Sequence, residues 1–130
     1  MLQTSSGLSN SQLMQSLQDC IQNCLDCAQL CEQCAVECIG MEQPGMAQCI
    51  STCLDCAEIC SLDAKLMSRG SPYHLETCEL CSRICDDCAA ICENAAGEND
   101  LDILQECAEI CQICADSCRS MANMQSEDIH

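Results

Sequence analysis

The spacing of cysteine constrains this chain more than any other feature. Cysteine occupies Cys20, Cys24, Cys27, Cys31, Cys34 and Cys38, then Cys49, Cys53, Cys56 and Cys60, then Cys78, Cys81, Cys85, Cys88 and Cys92, and finally Cys107, Cys111, Cys114 and Cys118. Within each group the steps alternate strictly between three and four residues. A mean step of about 3.5 is the a/d repeat of a coiled coil or helical bundle. Four separate segments keep it, so the thiols form a stripe along one face of each of four helices. Disulfide knots and zinc ribbons carry their cysteines on turns and do not need this rhythm.

The flanking positions agree. With Cys24 as an a position, the e positions are mostly small (Ala28, Ala35, Ala57, Ala89, Ala108, Ala115) and the g positions mostly branched aliphatics (Leu30, Ile59, Ile84, Ile91, Ile110). Acids and amides fall largely outside, so each helix is amphipathic with cysteine where leucine usually stands. Ser9 and Gln12 can form a capping box that opens a helix over about 10–41. Pro44 suits the first turn of a second helix over 44–69, which Gly70 stops. Ser71-Pro72 opens a third over 72–96, Gly97 ends it, and Asn99 or Asp100 caps a fourth over 101–123. The termini are expected to be short and disordered. The connections are short, so the fold class is all-α: one antiparallel up-down-up-down four-helix bundle with a Cys-lined core, spanning 1–130.

Composition excludes several functions. Twenty-one acidic residues against four basic ones give a formal charge of −17, which argues against nucleic acid or an anionic membrane as partner. No run approaches the roughly 20 apolar residues of a membrane span. Residues 1–16 show no basic start, apolar run or twin arginine, so no export signal is expected and the location is cytoplasmic. A reducing cytosol keeps thiols free or loads them with metal, and the odd count of 19 forbids complete pairing within one chain.

With ideal antiparallel registers the stripes stack into layers. From one end these are Cys20/Cys60/Cys78/Cys118, Cys24/Cys56/Cys81/Cys114, Cys27/Cys53/Cys85/Cys111 and Cys31/Cys49/Cys88/Cys107. Cys34 and Cys92 follow beside Met46 and Leu104, with Cys38 beyond. The opposite end carries Leu17, Asp63, His74 and Met121, with Leu13 and Met67 further out. Outward aliphatics such as Leu25, Leu62, Leu80 and Ile113 offer an oligomer contact.

Such a seam is poor packing on its own account. A thiol forgoes several methylene groups relative to leucine, each worth about 0.8 kcal/mol on burial, so the space is for something else. Thiolates select soft ions: Cu(I), zinc or iron–sulfur clusters. Charge balance separates these. Tetrahedral zinc on four thiolates leaves two negative charges per site, whereas Cu(I) at about one ion per thiolate is neutral. Residues i and i+4 lie about 5–6 Å apart at Cβ, so a C-x3-C pair on one helix can hold one Cu(I). The C-x3-C-x2-C runs at Cys20 and Cys49 resemble a radical-enzyme cluster signature but follow from the heptad rhythm, and the ferredoxin Cys-Pro ending is absent. Zinc buffering of the metallothionein kind and an iron–sulfur electron carrier remain as alternatives. With two histidines and no base–nucleophile pairing, no enzyme is expected.

Four Cys-striped helices with C-x3-C-x2-C-x3-C in each, over about Ser9 to Met124, resemble the cytosolic branch of the bacterial copper storage proteins (Csp). The resemblance implies a homotetramer of four-helix bundles that store or sequester many Cu(I) ions without catalysis, approaching one per cysteine. It implies that all 19 cysteines are ligands. It also implies entry at one end with help from His or Met, for which His74 and Met121 are the matching residues here, and Asp63 and Met67 the weaker ones. His74 in a helix first turn should stay neutral and available to metal.

Overall fold

The computed structural model describes residues 9–129, and side chains to residue 124. The expected loose ends at 1–8 and His130 lie outside the described residues. Four helices account for almost everything: α1 (Asn10–Gly40), α2 (Ala47–Ser68), α3 (His74–Glu98) and α4 (Asp102–Ile129). Each packs on its sequence neighbour, α4 closes back on α1, and diagonal contacts are slight. Thiol contacts run in opposite order between α2 and α3 (Cys53–Cys92, Cys60–Cys81) and between α1 and α4 (Cys24–Cys118, Cys31–Cys107), and with short connections the bundle is antiparallel. Cys27 meets Cys56, Cys56 meets Cys85, and Cys31 meets Cys107.

Local chemistry sets the helix ends. The Ser9 hydroxyl accepts from the Gln12 N–H, and the Gln12 side chain accepts from the Ser9 N–H, so the capping box closes. At the end of α2, Gly70 adopts φ +64°. The Ser71 N–H then reaches Leu66 O at 2.9 Å and the Gly70 N–H reaches Met67 O at 3.2 Å, a Schellman closure that a residue with Cβ would strain.

Four boundaries differ from expectation. Pro44–Met46 form a 3-10 turn before α2. Residues 72 and 73 belong to a turn in which the Tyr73 N–H donates to Ser71 Oγ, so α3 starts at His74. Gly97 lies inside α3, whose C-cap is Asn99; its side-chain amide donates to Ala95 O at 3.0 Å. Helix α4 continues to Ile129, past the expected end near 123.

The e and g positions make two kinds of interface. The pairs α1–α2 and α3–α4 share the most extensive contact, and their seam-flanking alanines, Ala35, Ala57, Ala108 and Ala115 among them, are buried. Small side chains let backbones approach. Between α2 and α3, and between α1 and α4, the bulkier Ile84, Ile91, Leu30 and Ile110 line open surface grooves.

Candidate metal centre

Every one of the 19 cysteines is free, and none is more than 3% exposed. Most of them touch another thiol, with Sγ–Sγ contacts between 3.6 and 4.0 Å, and Cys78 touches Asp63 and Met67. Five sets of four thiols have all their sulfurs within 4.8 Å of each other. These sets overlap: Cys27, Cys31, Cys107, Cys111 and Cys114 each belong to two.

The register of α2 corrects the expected layers. Cys60 lies 3.6 Å from both Cys81 and Cys85 and 3.8 Å from Cys114, not level with Cys20 and Cys78. Cys56 meets Cys27, Cys85 and Cys111, Cys53 meets Cys88 and Cys92, and Cys49 meets Cys92. Helix α2 is therefore displaced by one layer. The cause is the tight α1–α2 connection. Glu42 at φ 54° and the 3-10 turn bring the start of α2 close to the end of α1, which draws Cys49 level with Cys34. The complete rings are three: Cys24/Cys60/Cys81/Cys114, Cys27/Cys56/Cys85/Cys111 and Cys31/Cys53/Cys88/Cys107. Cys34, Cys49 and Cys92 form a partial layer at one end, with Cys38 beyond it. Cys20, Cys78 and Cys118 form another at the opposite end.

The same displacement moves Asp63 inward. It was expected outside the thiols, yet it takes the fourth place beside Cys78 and Cys118 and is fully buried. Its carboxylate accepts from Thr77 Oγ1 at 2.8 Å and from the thiols of Cys78 (3.4 Å), Cys118 (3.5 Å) and Cys24 (3.8 Å). Burial pushes its pKa up to about 7, against the Thr77 hydrogen bond and helped by the nearby Cys81 thiol. Met67 is buried just outside, its Sδ 3.8 Å from Cys78 Sγ. Met121 is fully buried in the core, one step beyond Cys118. His74 is half-buried at the start of α3, and its Nδ1 is buried with no hydrogen-bond partner. Burial lowers its pKa, so the imidazole is neutral near pH 7 and has a lone pair to give.

Thr77 was missed from the sequence. It holds Asp63 while lying off the seam, next to Cys78, and only its place in the first turn of α3 hints at a polar role.

Adjacent thiols share their protons unevenly: contact with Cys111 lowers Cys56 and Cys107, while others are raised. Contact with Cys107 pushes Cys53 and Cys111 above the ordinary thiol range, Cys114 does the same to Cys85, and burial raises Cys38. A metal entering this column must displace protons.

A helical bundle whose whole seam is reduced thiol defines a class of protein built to surround soft metal ions. Comparison with known proteins narrows it. The profile of the copper storage protein family (Csp) matches residues 13–123, and the chain belongs to that family. Apo-Csp3 (copper storage protein 3) from Bacillus subtilis is 41% identical over 81% of this chain and 97% of its own, with a TM-score of 0.72. Cu(I)-bound copper storage protein BsCsp3 is 38% identical over 82% and 98%, also at 0.72. A cytosolic copper storage protein from Streptomyces lividans, with five coppers, is 30% identical over 84% and 93%, at 0.75. A search of curated protein sequences gives no match.

Proposed function

We propose that this protein stores Cu(I) in its core, with all 19 cysteines as ligands and a capacity approaching one ion per thiol. The observation that carries this reading is the overlap of the four-thiol sets. Tetrahedral zinc needs four sulfurs at about 2.3 Å, and isolated zinc sites would divide the thiols into separate quartets. Here a single sulfur serves two sets at five positions. That arrangement suits a monovalent ion of low coordination number that accepts bridging sulfurs and leaves the core neutral. Family membership and the copper-bound relatives support the same choice.

Entry is assigned to the His74 end, where a neutral imidazole, the thioethers of Met67 and Met121, and Asp63 surround the terminal thiols. The storage role needs no catalysis. The working location is the cytoplasm, as for the Streptomyces relative, and no described helix is long and apolar enough to cross a membrane. A homotetramer follows from the family resemblance, and the exposed Leu25, Leu62, Leu80 and Ile113 provide surfaces for it.

Anaerobic titration of the reduced protein with Cu(I), against a chromophoric chelator, tests the reading. Binding should continue toward the cysteine count. Saturation below about five equivalents, the stoichiometry of four-thiolate sites, would overturn it in favour of zinc buffering.

A further inference from the structure

The two oxygens of the buried Asp63 carboxylate have different partners. Thr77 Oγ1 at 2.8 Å and Cys78 Sγ at 3.4 Å address Oδ1. Cys118 Sγ at 3.5 Å and Cys24 Sγ at 3.8 Å address Oδ2, and these two sulfurs lie 3.6 Å apart. Oδ2 thus closes a triangle with one thiol of the terminal layer, Cys118, and one of the first complete ring, Cys24. The triangle spans the step between the two layers. Thr77 is half-buried in the first turn of α3, and its Oγ1 also lies 3.1 Å from His74 O and 3.3 Å from Tyr73 O. Bonding back to carbonyls three and four residues earlier is ordinary for a threonine in a helix. A hydroxyl has one proton to give, however, and the Tyr73 carbonyl already accepts from the Thr77 N–H at 3.2 Å. The shortest contact crosses from α3 to a fully buried carboxylate on α2, and a hydrogen bond to a carboxylate is the stronger kind.

We propose that Thr77 is a positioning residue for metal entry, holding Asp63 so that Oδ2 is the oxygen through which an incoming soft ion passes from the terminal thiols to Cys24. The inference rests on the reading that ions enter at the His74 end. A carboxylate oxygen is a hard donor that holds Cu(I) weakly, so it suits a stop on the way in better than a place of storage. Transfer between donors is fast when the receiving atoms already stand in place. The last torsion of an aspartate has a broad, roughly two-fold profile, so packing of its own stem does not fix which oxygen faces the thiols. Among the described residues, Thr77 supplies the one hydrogen-bond partner of Asp63 that is not a thiol. The same turn of α3 carries His74, so one threonine keeps the two donors that are not sulfur in a fixed relation.

The test compares the reduced full chain with Thr77→Val, which keeps the shape and removes the hydroxyl, and with Thr77→Ser, which keeps the hydroxyl. Anaerobic mixing with a chromophoric Cu(I)–chelator complex reads the loading rate. Thr77→Val should load about fivefold more slowly, the scale of one hydrogen bond, with capacity and helix content unchanged. Thr77→Ser should load within about twofold of wild type. On an Asp63→Ala background Thr77→Val should slow loading no further, because residues that act as a unit are not additive. A second readout needs no metal. Infrared difference spectra of the apo protein should show the S–H stretching bands of Cys24, Cys78 and Cys118, identified by their change in Asp63→Ala, displaced in Thr77→Val and restored in Thr77→Ser. Wild-type loading by Thr77→Val, equal slowing in Thr77→Ser, an undiminished effect on the Asp63→Ala background or unmoved S–H bands would each overturn the proposal. Lost helix content or capacity in Thr77→Val would overturn it in favour of a purely structural threonine. Failure of the storage reading shows separately, as early saturation of the wild-type titration, and leaves the infrared comparison standing.

Discussion

The two ends of the thiol column are built from different chemistry, although the four stripes that make the column share one rhythm. At the His74 end the terminal layer of Cys20, Cys78 and Cys118 is completed by Asp63, which three thiols and Thr77 address. Beyond it lie two thioethers and a half-buried imidazole. At the other end Cys34, Cys49 and Cys92 are followed by buried Leu104 and Met46, and the Asn99 amide rests on Met46 Sδ at 3.6 Å. One end offers an imidazole lone pair and an exchangeable proton, and the other closes around Cys38 with the hydrocarbon of Leu104 and the thioethers of Met46 and Met41. The contrast teaches that direction in this bundle comes from the few seam positions that are not cysteine.

The strongest way to break the contrast is through Asp63. Its proton is held more tightly in the folded protein, at about 7 against 3.8. The stability it contributes is therefore fully present below about pH 4 and is lost as the pH rises to about 7, on the order of 4 kcal/mol by linkage. Urea unfolding of the reduced apo protein should show that loss relative to Asp63→Asn, which cannot ionise. The stability difference between variant and wild type should grow from about pH 4 to about pH 7 and level off above it, and parallel profiles would place Asp63 outside the thiol layer. Other carboxylates titrate alike in both proteins and cancel.

The next effect is kinetic. Replacing His74 with Ala should slow anaerobic Cu(I) loading by about tenfold, the scale of one lost metal-ligand contact at about 1.4 kcal/mol, and leave capacity almost unchanged. Met46→Leu, at the opposite end, should leave the rate where it is. If Met46→Leu slows loading and His74→Ala does not, the ions enter where the hydrocarbon is.

Much of this architecture was legible in the sequence, and the part that was not has a definite cause. The three-and-four spacing specified four amphipathic helices, and the Ser9–Gln12 box and Gly70 marked two of their ends. The same spacing could not fix the register, because a stripe of identical residues looks the same after a slip of one layer. Seam positions that are not cysteine, such as Met46 and Asp63 on α2, break that degeneracy, and their depth depends on how far the α1–α2 connection reaches. A 3-10 turn and a left-handed Glu42 shortened it, and neither has a strong signature in residues 41–46. Asp63 was consequently expected at the rim and is found inside. Thr77 went unnoticed for a related reason, since a partner to a buried acid is visible only once the acid is known to be buried.

The smallest effect compares the two ends through their glycines. Both Gly70 and Gly97 read as helix stops, and both have open space where a Cβ would go, so sterics with neighbours do not distinguish them. Backbone conformation does. Gly70 sits at φ +64° in the turn next to His74, whereas Gly97 lies within α3 near the Cys38 end and has no positive φ. Gly70→Ala should therefore destabilise the apo protein by about 1 kcal/mol, because a left-handed backbone disfavours Cβ. Gly97→Ala should stabilise it by about 0.5–1 kcal/mol, because alanine loses less backbone freedom on entering a helix. Thermal unfolding of the two single variants beside wild type reads both shifts. Opposite signs confirm that the end beside His74 is closed by a conformational stop and the other by the Asn99 cap. Equal losses would mean that α3 ends at Gly97 after all, with the Asn99 contacts to Ala95 and Met46 undone.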